Sequence, residues 1–381
     1  MKINWQSPGI VVLYNASTGL IKGEARDLLA EQGVIACAGA VIEALGARGY
    51  RVAGVPLYGD VETTLAPYPA SQWTIFNLAE GLAGKLFEEA RIAWALEAMG
   101  YCFTGSGGSA IAHGAHKART KELLLAHGVP TPDWWLFRHP DEVPARIGEL
   151  AFPLIVKPVA EDASIGVGPE AVVHTEDALR ERVAYVVEAY RQAALAEAFV
   201  IGREFNVAIW GDPPQVLPLA EIDFHAFSDP YARIVSYAAK WEEESFEYQH
   251  TPVFCPARVE PEVGKGIAAT ALRAWAALGG QGYGRVDMRL SEDGVPYVVE
   301  VNCNPDLSPD AGFYRAARTA GYDYGAMAER ILEIAWSPFY AQDRAGVAER
   351  WPIHPGDHEP GWYLQPYGAG LRPRALERVS G

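Results

Sequence analysis

The segment GYGRVDMRLSEDGVPYVVEVNCNP carries Asp287, Glu300 and Asn302 in a pattern that can hold a hard cation. Val286, Met288 and Leu290 alternate with Arg285, Asp287 and Arg289, while Val299 and Val301 alternate with Glu300 and Asn302. Each run therefore reads as a strand with one packed face and one chemical face. Asp293-Gly294 is a favourable two-residue hairpin turn. Pairing Glu292 with Val295 then sets Asp287 opposite Glu300 and Arg285 opposite Asn302, with the carboxylates roughly 5 Å apart on one face. Their oxygens suit magnesium, whose remaining octahedral positions go to water and phosphate oxygens. Without a cation the two carboxylates repel. An acidic hairpin facing solvent accounts for these residues equally well while the segment stands alone.

A second chemical segment, FPLIVKPVAEDASIG, reads as a strand that carries Lys157 and a compact polar loop containing Ser164 and Gly166. Gly and Ala let a backbone approach phosphate closely, Lys157 can offset phosphate charge, and Ser164 can donate a hydrogen bond. The spacing is not that of a Walker A loop. Taken by itself, Lys157 is a strand-end lysine with its head in water, and the loop is a turn.

The elements that must position these residues alternate in type. Strands at 9–15, 50–57, 73–77 and 101–104, with helices at 34–46 and 86–99, predict an open, mostly parallel sheet through about residue 110. Residues 15–33 are expected to form a loop on its substrate side. A helix over 117–127 stops at Gly128, and strands at 152–157 and 195–200 flank a helix at 175–190, giving a central unit at about 111–205. Strands at 205–210, 215–224, 284–290 and 296–302, with helices at 262–278 and 313–320, build a C-terminal α/β unit over 206–340. The polar, aromatic stretch 228–258 reads as a cover for a cleft or an ordered surface excursion. Residues 341–381 read as a C-terminal extension of little periodicity.

A chain of 381 residues can support two or three compact units. Its formal charge of -16, with basic residues scattered, argues against a nucleic-acid partner. Cys37, Cys102, Cys255 and Cys303 lack the close spacing of a zinc or redox pair. No secretory leader and no apolar run of about 20 residues is evident, so no membrane partner is expected and cytoplasmic placement is the default. His113, His116, His225 and His250 show no ligand spacing, and Trp134, Trp135, Trp241 and Trp275 are candidates for pocket wall or core.

Taken in order with LAEAFVIGREFNVAIWG, the two chemical segments give a sequence that resembles the ATP-grasp superfamily, specifically D-alanine–D-alanine ligase and related carboxylate–amine ligases. The resemblance implies an α/β, three-domain ATP-grasp fold. An N-terminal open parallel sheet (1–110) serves substrate, and ATP is clasped between the central nucleotide domain (111–205) and the C-terminal catalytic domain (206–340). It implies phosphate- and nucleotide-contacting lysines at Lys117 and Lys157, Ser164 in a mobile phosphate-covering loop, and adenine recognition at Glu197 and the backbone of Val200. Glu204 matches a ribose contact and Lys240 a further phosphate-facing lysine. Asp287, Glu300 and Asn302 match the magnesium set, and Arg285 a residue that steadies oxyanions, so that Arg285, Lys240 and Ser164 form the catalytic group. The reaction implied is ATP-dependent amide or peptide formation through an acyl phosphate, with small-molecule carboxylate and amine substrates and a homodimer as an open assembly.

By the same resemblance, substrate binding falls to Glu31, Arg285, Asn304, Asp306 and Asp310. The sequence departs from the family here. A family acidic residue is replaced by Gly33, with Glu31 nearby but shifted, Asp306 stands at a usual glycine, and Ala311 at a usual hydroxyl-bearing contact. Two acids after the hairpin favour a cationic or amino-bearing substrate, or cap the following helix, Asp310 above all. Ligation of an amino acid to a larger amino- or carboxyl-containing metabolite is the alternative reading, and a nonenzymatic nucleotide-binding module a further one.

Overall fold

The computed structural model describes residues 8–16, 28–80 and 87–337. The expected extension at 341–381 and most of the expected loop at 15–33 lie outside them. Three sheets organise the described residues. In the first, β1 (Gly9–Asn15) lies between β2 (Val52–Leu57) and β3 (Trp73–Asn77), all parallel. Both faces of β1 are covered, which is why IVVLY is a continuous apolar run rather than an alternating one. Ile10 and Val12 pack with Val34, Val41 and Leu45 of the helix Leu28–Ala47 and with Ile331 of the helix Tyr324–Trp336. Val11 and Leu13 pack on the other side with Ile92, Leu96 and Phe103.

The second sheet contains β4 (Trp134–Phe137), β5 (Leu154–Pro158), β6 (Val172–Val173) and β7 (Ala194–Ala198), in the antiparallel order β4-β7-β5-β6. Helix Glu176–Tyr190 covers it, started by Thr175, whose side chain accepts a hydrogen bond from the backbone N–H of Ala178. The third sheet runs from β8 (Gly202–Trp210), β9 (Gln215–Val216), β10 (Ala220–Ile222) and β11 (Val253–Phe254) to β12 (Tyr283–Ser291) and β13 (Pro296–Asn302). Its order is β11-β10-β8-β12-β13, with β9 on β8. Helix Pro261–Leu278 covers its inner face, where Val286, Met288, Val298 and Val301 are buried.

Several elements differ from the sequence reading. The first helix begins at Leu28 rather than at 34, because Leu28 to Gln32 are good helix formers and one interior glycine, Gly33, costs only about 1 kcal/mol. The strand expected at 101–104 is a single bridge from Ile75 to Phe103, since Gly105, at φ +84°, turns the chain away after two hydrogen bonds. The strand expected at 215–224 is split at Pro218, which has no N–H to give a ladder. Helices Gly108–Gly114 and Tyr324–Trp336 and strand β4 have no counterpart in that reading.

The β12–β13 hairpin matters most. Asp287 faces Glu300 and Arg285 faces Asn302, as the alternation requires. The turn, however, holds three residues, Glu292 to Gly294, closed by the Ser291 N–H on the Val295 carbonyl at 3.0 Å, with Gly294 at φ +78°. This longer turn shifts the register by one, pairing Met288 with Val298, and a bulge at Val299 restores it before Glu300. Val299 therefore lines the cleft beside Glu300 instead of packing inward, and Val298 takes the core position. A Cβ added at Gly294 meets nothing within 4 Å, so replacing it with Ala costs only backbone strain. Gly294→Ala is expected to lower stability by about 1–2 kcal/mol in urea unfolding.

Candidate active site

A cleft of about 710 Å³ lies among the three sheets. Lys117, Lys157, Ser164, Glu197, Val200, Glu204, Lys240, Arg285, Asp287, Glu300, Asn302, Asn304, Asp306 and Asp310 all line it. Of the residues expected from the sequence, only Glu31 is left unplaced, because its side chain lies outside the described residues.

Period-two alternation on β12 turns Arg285, Asp287 and Arg289 to the cleft. Arg285 donates from Nε and Nη2 to the two carboxylate oxygens of Asp287, at 2.7 and 2.8 Å. Asn206, opposite Asp287 on β8, donates to Oδ1 at 2.7 Å. Across the hairpin, the Lys117 ammonium sits 2.6 Å from Glu300 Oε1. That oxygen is buried and receives no well-directed hydrogen bond. Burial pushes the Glu300 carboxyl up, but Lys117 and Lys157 outweigh it and hold the group well below the usual carboxylate range. Asn302 Oδ1 accepts the backbone N–H of Asn304 at 2.8 Å.

Lys117 opens the helix Lys117–Ala126, and Lys121 follows one turn later on the same face. Lys121 is buried and pairs with Glu197, which pairs through its other oxygen with Lys157 of β5. Burial pushes Glu197 up, while Lys121 and Lys157 overcome it and hold the carboxyl below its ordinary value. Its carboxylate is thus clamped between two lysines at the base of the cleft. Glu204 on β8 lies 3.7 Å from the Arg289 guanidinium, which stacks over Phe199 at 5.1 Å. Lys240, on the short helix Tyr237–Trp241, makes no hydrogen bond or ion pair to any described residue. Burial, then Arg285, lower its ammonium, though Asp287, Glu300 and Asp162 pull the other way.

The Ser164 hydroxyl, at the cleft wall, donates to the Val235 carbonyl at 2.8 Å. The adjacent Ala163 carbonyl accepts from Trp241 Nε1 at 3.0 Å, and the Tyr237 N–H donates to Val167 at 2.8 Å. The loop 161–168 is thus fastened to the stretch 235–241, which covers the cleft as the sequence reading allowed. Asn304, also at the cleft, bonds Tyr283 and the Ala79 carbonyl and so ties the hairpin to the N-terminal sheet. Asp306 accepts from the Ser308 N–H and hydroxyl at 2.8 and 2.6 Å. Asp310 does not cap the following helix, whose N-cap is Ala311 with no side-chain bond.

Sequence reasoning missed Lys121, Asn206, Arg289 and Asp162 as site residues. Their signals were present: Lys121 is four residues from Lys117, and Asn206 alternates with Phe205 and Val207. Only the cross-strand pairing gives them partners. His116 is a neutral helix cap, driven down to about 4 by burial and helped by Lys117, and Trp275 is core.

The family model D-ala D-ala ligase C-terminus matches residues 123–333. A D-alanine--D-alanine ligase of Desulforudis audaxviator is 33% identical over 304 residues, which cover 78% of this chain and 91% of the relative. The chain belongs to the D-alanine–D-alanine ligase family of ATP-dependent carboxylate–amine ligases. A second D-alanine--D-alanine ligase, from Chromohalobacter salexigens, is 36% identical over 253 residues, 66% of this chain and 74% of the relative. The Bacillus anthracis D-alanine--D-alanine ligase complexed with ATP shares the ATP-grasp fold, with a TM-score of 0.68 at 21% identity, over 89% of this chain and 99% of that one. Among the described residues, no helix is long and apolar enough to cross a membrane.

The clamp around Glu197 makes a stability test available that is separate from catalysis. Glu197→Leu strands two buried lysines and is expected to destabilise the protein by about 3–5 kcal/mol. Adding Lys121→Met is expected to recover much of that loss, read from a double-mutant cycle of urea midpoints. Because the folded-state pKa of Glu197 is depressed, its contribution is present above the unfolded carboxylate pKa and is lost as pH falls through the folded value. Acidification through that window should therefore narrow the gap between wild type and Glu197→Leu.

Proposed function

We propose that the protein uses ATP and magnesium to activate a substrate carboxylate as an acyl phosphate and transfers the acyl group to an amine. The observation that carries this reading is the in-register pair Asp287 and Glu300 at the floor of a cleft whose walls hold Lys117, Lys157, Lys240 and Arg285. The donor set fits a hard divalent ion, since Glu300 Oε1 is buried without a directed hydrogen bond and Asp287 and Asn302 present oxygens on the same face. Magnesium held by these three residues supplies charge neutralisation to nucleotide phosphates when bound.

In this reading a carboxylate oxygen of the first substrate attacks the γ-phosphorus, the bond to the bridging oxygen breaks, and ADP leaves with that electron pair. The amine nitrogen then attacks the acyl carbon, phosphate departs with the C–O pair, and the nitrogen loses its proton. Lys117 and Lys157 hold phosphates, Val200 and Glu204 receive the adenosine, and Lys240 faces the transferring group. Two of the guanidinium N–H groups of Arg285 are committed to Asp287, and the others remain for an oxyanion. Loop 161–168 and the cover at 235–241 keep water from the acyl phosphate. Cytoplasmic placement and a homodimer belong to the same reading.

The substrate end of the cleft is lined by Glu80, Glu89, Asp306 and Asp310, with Arg315 beside them. Burial, and then Asp162, push the Glu89 carboxyl well up, and the remaining acids support an amino-bearing substrate. D-Alanine qualifies, and so does a larger metabolite with an amino group. A product-resolved screen with ATP, magnesium and paired carboxylate and amine candidates, D-alanine alone included, is expected to yield amine-dependent ADP, phosphate and an amide. Nucleotide binding without substrate-dependent ADP release would instead identify a binding module. Glu300→Ala is expected to cut turnover by roughly 100-fold or more with the melting temperature retained, and full turnover in that variant would remove the basis of this reading.

A further inference from the structure

The Lys117 ammonium is shared by three acceptors from two separate elements. It donates to the Glu161 carbonyl at 2.6 Å and to Asp162 Oδ1 at 2.9 Å, both on loop 161–168, and it lies 2.6 Å from Glu300 Oε1 on β13. The two loop contacts are well-directed hydrogen bonds, whereas the Glu300 contact is short but poorly angled. An ammonium has three N–H bonds in a fixed tetrahedral array, so acceptors that claim two of them set where the third points. One ammonium shared by two carboxylates leaves this trio net negative, which favours a divalent ion over the lysine alone.

We propose that Asp162 is a positioning residue that turns the Lys117 ammonium toward the loop and so keeps Glu300 available to a divalent cation. The inference rests on the cation-site reading above. Asp162 is well placed for this task because its loop is fixed independently of Lys117. The next two residues, Ala163 and Ser164, hold left-handed backbone at φ +56° and +60°. Trp241 and Val235 fasten both of them to the cover. A shut loop therefore delivers Asp162 to Lys117, and cation affinity becomes coupled to loop closure. With Asp162 uncharged, the N–H that it claims is free to turn to Glu300, already 2.6 Å away, so Lys117 competes better with the cation, and one negative charge leaves the site.

Mn²⁺ is the probe, titrated into the full-length protein without nucleotide and followed by loss of the free-ion EPR signal, with metal-free ADP binding measured in parallel by calorimetry. Asp162→Asn is expected to weaken Mn²⁺ by roughly tenfold, the scale of a lost outer partner to a metal ligand. Metal-free ADP should bind as well or better, because a charge that repels phosphate has gone. Asp162→Glu, which keeps the charge, should recover most of the Mn²⁺ affinity. Unchanged Mn²⁺ affinity in Asp162→Asn overturns the proposal. So does a parallel loss of Mn²⁺ and metal-free ADP binding, which marks a role in loop folding alone. Glu300→Gln separates the two levels: Mn²⁺ binding that survives it removes the cation-site reading and this inference together, while its loss there with no effect in Asp162→Asn removes only the inference.

Discussion

Two carboxylates held side by side on neighbouring strands are the constraint around which this protein is built. Asp287 and Glu300 are set by the ladder and cannot move apart without breaking it. Their mutual repulsion must be met by positive charge, and the fold supplies it from several directions. Arg285 comes from two residues away on the same strand, Lys117 from the start of a helix, and Lys157 from the adjoining sheet. The cations that offset the hairpin are the same ones proposed to meet the phosphates of a nucleotide. Electrostatic preorganisation of this kind needs no nucleophile on the protein.

Because the compensating charges reside on different elements, the site is also a set of joints. Lys117 links loop 161–168 to β13, Asn304 links the hairpin to the N-terminal sheet, and Trp241 links the loop to the cover. The clamp of Lys121, Glu197 and Lys157 adds a buried net positive charge below the cleft. Buried ion pairs of this sort contribute little to stability when complete, since desolvation offsets attraction, but removing one partner is costly. Their value here is positional. They fix lysines that would otherwise extend into solvent.

Much of the site was legible in the sequence because alternation on a strand is a local property. Arg285, Asp287, Glu300 and Asn302 could be put on one face by reading every second residue. The pairing of 287 with 300 came out correctly although the turn was read one residue short, because the bulge at Val299 compensates for the third turn residue. The position of Val299 itself was lost with that detail. The bonds by which Ser164 and Asn304 reach a backbone carbonyl or a side chain of a distant segment carried no signal in the sequence. Asp162, Asn206 and Lys121 passed unnoticed because isolated polar residues carry no signal until a partner is known.

The sequence by itself determined the alternating strands and helices, the apolar and polar faces of the hairpin, the ordered set of lysines and acids, and the family these belong to. Those properties depend on spacing of a few residues, or on motif order along the chain. Only the tertiary structure decided which charges neutralise which, where the loop is fastened, and which polar groups are left to meet a ligand. Charge pairing depends on distance in space, and Lys117 meets Glu300 across a separation that no period of helix or strand encodes.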